Sequence, residues 1–254
     1  KPWIHHIVLR NSKNIVLDSL CIYSDPVLYD GKTIGDNAIE MDINHADGSV
    51  NWNELNTRTG EGLDANGFLS EANILVQNCM IGSDGFTGAH ISSYDGVTFK
   101  NCDFESVFND PSSNAIAWGA SFKLLYCKNI KFIQNNFRGD HATLMWIQEV
   151  QNMLVMNNVF WNTNKFLQKD GTHTPAAIRL VSQFGKNLQN LGFYYNTFYF
   201  ALNETVSTSK YDFLSFSRTV DENTGTVNHI KYSSMAFKYN NCYSYDTDCP
   251  GRND

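Results

Sequence analysis

Apolar and polar positions alternate along this chain in a phrase nine residues long that returns seven times. The copies start at Asn14, Asn73, Gly96, Asn129, Asn152, Asn190 and His229. Their second positions are Ile15, Ile74, Val97, Ile130, Met153, Leu191 and Ile230, and their fourth are Leu17, Val76, Phe99, Phe132, Val155, Phe193 and Tyr232. The ninth positions are Ile22, Ile81, Phe104, Phe137, Phe160, Phe198 and Phe237. The seventh run Leu20, Cys79, Cys102, Asn135, Asn158, Asn196 and Met235. Side chains of one strand face recur at every second residue, so the phrase predicts short strands. Successive starts lie 59, 23, 33, 23, 38 and 39 residues apart, and 23 is too short for a repeat made of two helices. The pattern therefore predicts an all-β solenoid whose apolar columns are buried against their own neighbours.

Composition narrows the picture. A hydrophobic content of 42% supplies a continuous core for one domain spanning 1–254, with 238–254 read as a polar C-terminal tail. The chain opens at Lys1 on solenoid-like sequence with no capping segment, so the reading expects a processed or truncated array lacking its N-terminal cap. A net charge of -7 opposes a nucleic-acid partner, and without an apolar run of about 18 residues no membrane span is predicted. Asn is abundant, which suits tight turns with unusual backbone angles. Cys79 and Cys102 occupy one inward column of consecutive repeats and are read as stacked small apolar side chains. Cys242 and Cys249 lie seven apart in the tail, where a disulfide would imply an oxidising compartment. Asn203-Glu204-Thr205 is a lone glycosylation sequon.

The turn phrases QNCMI, KNCDF, QNNF, MNNVF and YYNTF carry a resemblance. Together with the repeats around them, they are similar to the right-handed parallel β-helix of the pectate-lyase-like superfamily, over nearly the whole chain. The resemblance implies about seven to nine coils of three strands, with an Asn ladder in the turn between the second and third strands. It also implies a polysaccharide groove along the first strand. It does not select a reaction, because lyases, hydrolases, epimerases, tailspikes and adhesins use the same fold.

Reading backwards from each signature locates those first strands. Alternation turns Ile39, Leu63, Ala89, Phe122, Met145, Ile178 and Leu214 inward. It leaves Glu40, Asp64, His90, Lys123, Trp146, Arg179 and Ser215 in one outward row, at steps of about 4.8 Å. A plain solvated face would mix its side chains, whereas here acids gather at one end and two cations flank a Trp at the other. Glu40 and Asp64, 24 residues apart, are placed on successive coils with Ser49 to Thr57 as a degenerate signature between them. Otherwise, 44–72 is a single long loop.

Three activities fit such a row. The first is β-elimination from a uronic-acid polymer, as in the pectate lyases. That resemblance makes Arg179 or Lys123 the base, adds His90 as a catalytic candidate, and offers Glu40, Asp42 and Asp64 as oxygen ligands for Ca²⁺. Trp146 would stack on a sugar ring, with Gln148, Asp84 and Asp64 as further substrate contacts. The segment Thr174 to Arg179 is similar to the family phrase R-x-P-x-x-R, but lacks its first Arg and is one residue longer. The second is hydrolysis by paired carboxylates, as in the polygalacturonases. Gly35-Asp36-Asn37-Ala38-Ile39 resembles their G-D-D-C-I phrase and Gly88-Ala89-His90-Ile91-Ser92 their G-H-G-I-S phrase. Asn37 replaces a needed Asp, so Asp36, Asp64 or Asp84 would supply acid and base. The third is a non-catalytic glycan-binding or adhesion module.

Asp140-His141 and Asp170 to His173 read as ordinary turn residues beside the groove. His5 and His6 are adjacent on a strand and so face opposite sides. The stretches 105–121 and 161–177 are expected to wall the groove, since loops on a rigid scaffold carry specificity. The expectation is thus a secreted or cell-surface carbohydrate-active protein that acts on a polysaccharide, with the lyase reading first.

Overall fold

The computed structural model describes residues 2–24, 27–29, 32–34, 37–43, 63–83, 87–106, 120–139, 143–162, 176–182, 187–202, 212–220, 227–228 and 231–246. Three parallel sheets wrap one core, so the molecule is a parallel β-helix. The first sheet stacks Ile7–Arg10, Ile39–Asp42, Thr87–Ser92, Ala120–Leu125, Thr143–Gln148, Ala176–Ser182 and Asp212–Val220, and ends on the antiparallel pair Val227–Asn228. The second runs from Val16–Asp18 through Ile74–Gln77, Asp95–Lys100, Lys128–Ile133, Gln151–Met156 and Asn187–Tyr194 to Lys231–Lys238. The third is 8-stranded, from Trp3–Ile4 to Asn241–Asp246. Among the described residues there is no helix long and apolar enough to cross a membrane.

Two backbone positions explain why the signature repeats. Its first residue is left-handed in every coil, with φ of 57° at Asn14, 50° at Asn73, 95° at Gly96, 54° at Asn129 and Asn152, and 52° at Asn190. Its sixth residue is left-handed too, as at Asn78 (54°), Asn101 (53°) and Asn157 (56°). That region is costly for most L-residues but mild for Asn and free for Gly, which accounts for the Asn content. The bend does not interrupt the ladder between coils. The N–H groups of Asn78, Asn101 and Asn157 still donate to Lys100, Ile133 and Tyr194 carbonyls in the next coil.

The seventh residue then turns inward. Asn135, Asn158, Asn196 and Asn240 form a buried amide ladder: the Asn158 Oδ1 accepts from the Asn135 N–H (2.8 Å) and Nδ2 (3.0 Å). The Asn158 Nδ2 donates to the Phe132 carbonyl and to the Asn196 Oδ1, both at 3.0 Å. Earlier coils place Cys79 and Cys102 in this column, and the Cys102 thiol donates to the Val76 carbonyl at 3.5 Å. At the ninth position Phe104, Phe137, Phe160 and Phe198 stack at 4.7, 4.8 and 4.8 Å, forming the single internal column expected of them.

The last signature falls five residues later than the sequence reading places it. Met235 pairs with Leu191 and Phe237 with Phe193, so the repeat starts at Ser234 (φ 56°) rather than His229. Asn240 then continues the ladder, and Cys242 takes the place of the next Phe. Met235 and Phe237 satisfy the apolar pattern in either register, whereas only the later one gives the amide column its Asn. The segment read as a tail therefore contributes the strand Asn241–Asp246, which carries Cys242; Cys249 lies outside the described residues.

Candidate active site

On the outward face of the first sheet, Val8, Glu40, His90, Lys123, Trp146, Arg179 and Ser215 lie in one unbroken register. Strand alternation produces the row, and the buried Ile39, Ala89, Phe122, Met145 and Ile178 on the opposite face hold it in place. Gly88 allows two of its strands to approach closely, since a Cβ there would sit 2.7 Å from the Ser121 carbonyl oxygen. Packing thus explains that glycine in the phrase Gly88 to Ser92.

The row is covered rather than open. Arg179 is 1% exposed, Trp146 8% and His90 9%, whereas Lys123 and Glu40 reach closer to solvent. This corrects the expectation of an exposed stacking platform at Trp146. The Arg179 guanidinium lies over the indole at 5.4 Å, so one ring face already has a cation on it. The indole Nε1–H donates to the Gln148 Oε1 at 3.4 Å, which makes the buried Gln148 a support for the ring. Lys123 and Arg179 occupy the rungs on either side of that ring. Burial lowers both cations, Lys123 to about 8 and Arg179 to about 10. Arg179 remains charged at neutral pH, but Lys123 is brought within reach of deprotonation.

Asp64 is not a rung of the row. Glu40 pairs directly with His90, leaving no coil between them. The Asp64 Oδ1 instead accepts the N–H groups of Asn66 (2.8 Å) and Phe68 (3.0 Å), closing a turn. Phe68 stacks on Tyr126 at 4.6 Å, and the Tyr126 hydroxyl donates to the Asn66 carbonyl at 2.8 Å. This anchors residues 63–72 beside the bend that joins the first and second sheets. A 24-residue spacing fitted a coil, but these contacts make the segment part of a long connection.

The other two acids are engaged separately. Asp42 is fully buried, and its Oδ1 accepts from the Ser92 hydroxyl (2.6 Å) and the Ile43 N–H (2.7 Å). Glu40 faces Arg10 at 3.7 Å. Glu40, Asp42 and Asp64 therefore do not converge on one oxygen cage. Among the described residues, no group of three or more His, Cys, Asp or Glu side chains is arranged to hold a metal ion. Asp36, Asp84, Asp140, His141, Asp170, His173, Ser49 to Thr57 and the segments 107–119 and 163–175 lie outside the described residues.

Sequence reading missed Arg10 and the strand that carries it. The signal was available: Ile7, Val8, Leu9 and Arg10 alternate immediately before the first signature at Asn14. That strand makes Val8 the opening rung and sets Arg10 beside Asp42 and near Glu40.

Comparison with known proteins adds one structural likeness. No family model and no curated protein matches the chain. A solved structure, the tailspike protein gp49 of the Acinetobacter baumannii bacteriophage Fri1, a capsular polysaccharide depolymerase, matches with 14% identity and a TM-score of 0.31. The match covers 92% of this chain and 40% of that chain.

Proposed function

We propose that the His90–Lys123–Trp146–Arg179 row is the reaction site of a carbohydrate-active enzyme that cleaves a uronic-acid-containing glycan by β-elimination. The observation that carries this reading is the placement of Lys123, lowered by burial to about 8, and Arg179, charged at neutral pH and held over the indole, on the rungs either side of Trp146. Cations whose hold on a proton is weakened by burial, set in register on one face, suit proton abstraction beside a carboxylate.

Neutral Lys123 takes the proton from the carbon bearing the uronate carboxylate. Electron density moves onto that carboxylate, where the field of Arg179 opposes the growing charge. The bond to the glycosidic oxygen at the adjacent carbon then breaks, leaving a carbon–carbon double bond in one product. His90, on the next rung, returns a proton to the departing oxygen. Because Asp42, Asp64 and Glu40 are engaged elsewhere, no step is routed through Ca²⁺. A protein acting in this way meets its substrate at a cell surface or in the surrounding medium.

The test is a panel of uronate-bearing and neutral polysaccharides, followed at about 235 nm for the unsaturated product and by reducing-end assay, with and without a chelator. Absorbance together with new ends supports elimination. New ends without absorbance indicate hydrolysis, and neither signal on any glycan counts against both reactions.

A further inference from the structure

The outer face of the second sheet carries a hollow of about 440 Å³, open to solvent and lined in part by Leu154, Asn190, Gly192, Tyr194, Ser234 and Ala236. Small-molecule sites run from about 300 to 1,000 Å³. Leu154, Gly192 and Ala236 are in register on neighbouring strands, so a bulky side chain is followed by none and then by a methyl. Tyr194 fills the space over the glycine. A Cβ at Gly192 would lie 2.5 Å from the Tyr194 Cε2 and 3.4 Å from both ring carbons bonded to it, Cδ2 and Cζ. Distances that grow this much, and equally on both sides, place the contact near the ring plane. The ring therefore stands edge-on over Gly192. Because Tyr194 and Gly192 share a strand, that plane runs along it, with one ring face toward the Leu154 strand and the other across Ala236 into the hollow.

The polar groups of the hollow come from an interrupted ladder. Along the left-handed bend, the Asn152 Nδ2 donates to the Asn129 Oδ1 at 3.1 Å and the Asn190 Nδ2 to the Asn152 Oδ1 at 2.8 Å. Ser234 occupies the next rung, and its side chain does not continue the series. Among the described residues, neither the Asn190 Oδ1 nor the Ser234 hydroxyl has a hydrogen-bond partner. The ladder thus leaves an acceptor and a hydroxyl at the rim.

An aromatic face, a methyl floor and a polar rim match a sugar ring, which has an apolar face and hydroxyl edges. The surrounding charge selects the kind of sugar. None of the lining residues is acidic. The exposed Lys238 is in register with Tyr194 and lies two residues beyond Ala236, on the same face of its strand. We infer that the hollow is a second glycan site, which holds one uronate-bearing sugar with its ring against Tyr194 and its carboxylate on Lys238. It lies on a different sheet from the His90 to Arg179 row and does not depend on the reaction proposed there.

The experiment follows sugar binding through ¹³C-labelled methionine methyls, assigned with Met→Leu variants. Met235 lines the hollow, whereas Met145 is buried beside Trp146 of the row. The probes are the methyl glycosides of glucuronate, galacturonate and mannuronate and their neutral hexose counterparts, at pH 7. At least one uronate should shift Met235 saturably, at least threefold more tightly than its neutral counterpart. Ala236→Leu, which fills the hollow from an outward position, and Tyr194→Ser, which removes its wall, should each weaken that binding at least tenfold. Lys238→Gln should erase the preference for uronate. The inference is overturned by no saturable Met235 shift with any of the six, by less than tenfold weakening in both hollow variants, or by a uronate preference that is below threefold or survives Lys238→Gln. A shift at Met145 without one at Met235 sinks this inference and spares the proposed reaction, whereas a Met235 shift in a protein that never yields unsaturated product does the reverse.

Discussion

Replacing Asn158 by alanine tests whether the amide ladder holds the coils in register. The Asn158 side chain accepts from the Asn135 N–H and donates to the Phe132 carbonyl, and alanine can do neither. Two buried backbone groups would be left without their partners, at about 1–3 kcal/mol each. The Asn196 Oδ1 keeps the Asn158 backbone N–H, so that side of the ladder loses only one of its two bonds. We expect Asn158→Ala to cost about 3–5 kcal/mol. Cysteine is the informative control, because Cys102 uses its thiol to reach the Val76 carbonyl of the preceding coil, the counterpart of Phe132 for Asn158. Asn158→Cys restores that donor but not the acceptor for Asn135, and should cost about half as much. Urea unfolding followed by circular dichroism gives the difference, with the m-value checked for a change in cooperativity. An alanine variant within about 1 kcal/mol of the parent, or a cysteine variant as unstable as alanine, would refute the reasoning.

Three further outcomes follow from the site. Moving the Lys123 ammonium from 10.5 to about 8 corresponds to about 3 kcal/mol of disfavoured charge, cut to about 2 because the side chain is only partly buried. The native state therefore binds fewer protons than the unfolded chain between those values, and the parent gains stability as pH rises through them. Lys123→Met should accordingly be the more stable protein below pH 8, with its advantage fading toward pH 10; an advantage that does not change with pH contradicts this. Arg179→Lys retains the charge but loses the planar contact with Trp146, so turnover should fall at least tenfold while the fold persists. Near-parental kcat/KM would remove Arg179 from the mechanism. Asp64→Ala should cost about 1 kcal/mol by opening its turn and leave turnover unchanged; a dead but folded variant would return Asp64 to the site.

Much of the fold was legible because burial and backbone geometry repeat. The columns of Ile, Val and Phe fix strand faces, and recurrent Asn marks the left-handed bends, so the sheets and the Phe stack follow from spacing alone. The last signature did not, since Met235 and Phe237 are apolar in both registers and only the contact of Asn240 with Asn196 decides between them. In the row, the order His90, Lys123, Trp146, Arg179 was readable because those residues stand at fixed offsets before clear signatures. Asp64 was misplaced because a 24-residue spacing cannot distinguish a coil from a connection whose turn is closed by the same carboxylate. Burial of Arg179 and Trp146 was also invisible. It depends on what lies over the outward face, and the alternation of one strand records only the inward one.

The most direct test of Lys123 as the base is the pH dependence of kcat/KM at about 235 nm on an oligosaccharide the enzyme cleaves, for the parent and for Lys123→Arg. The parent should show an ascending limb toward about pH 8, as the ammonium gives up its proton. Lys123→Arg, which stays protonated throughout, should lose at least a hundredfold while still binding the glycan. A parent profile with no ascending limb near pH 8, or an arginine variant that turns over at the parental rate, would contradict the account.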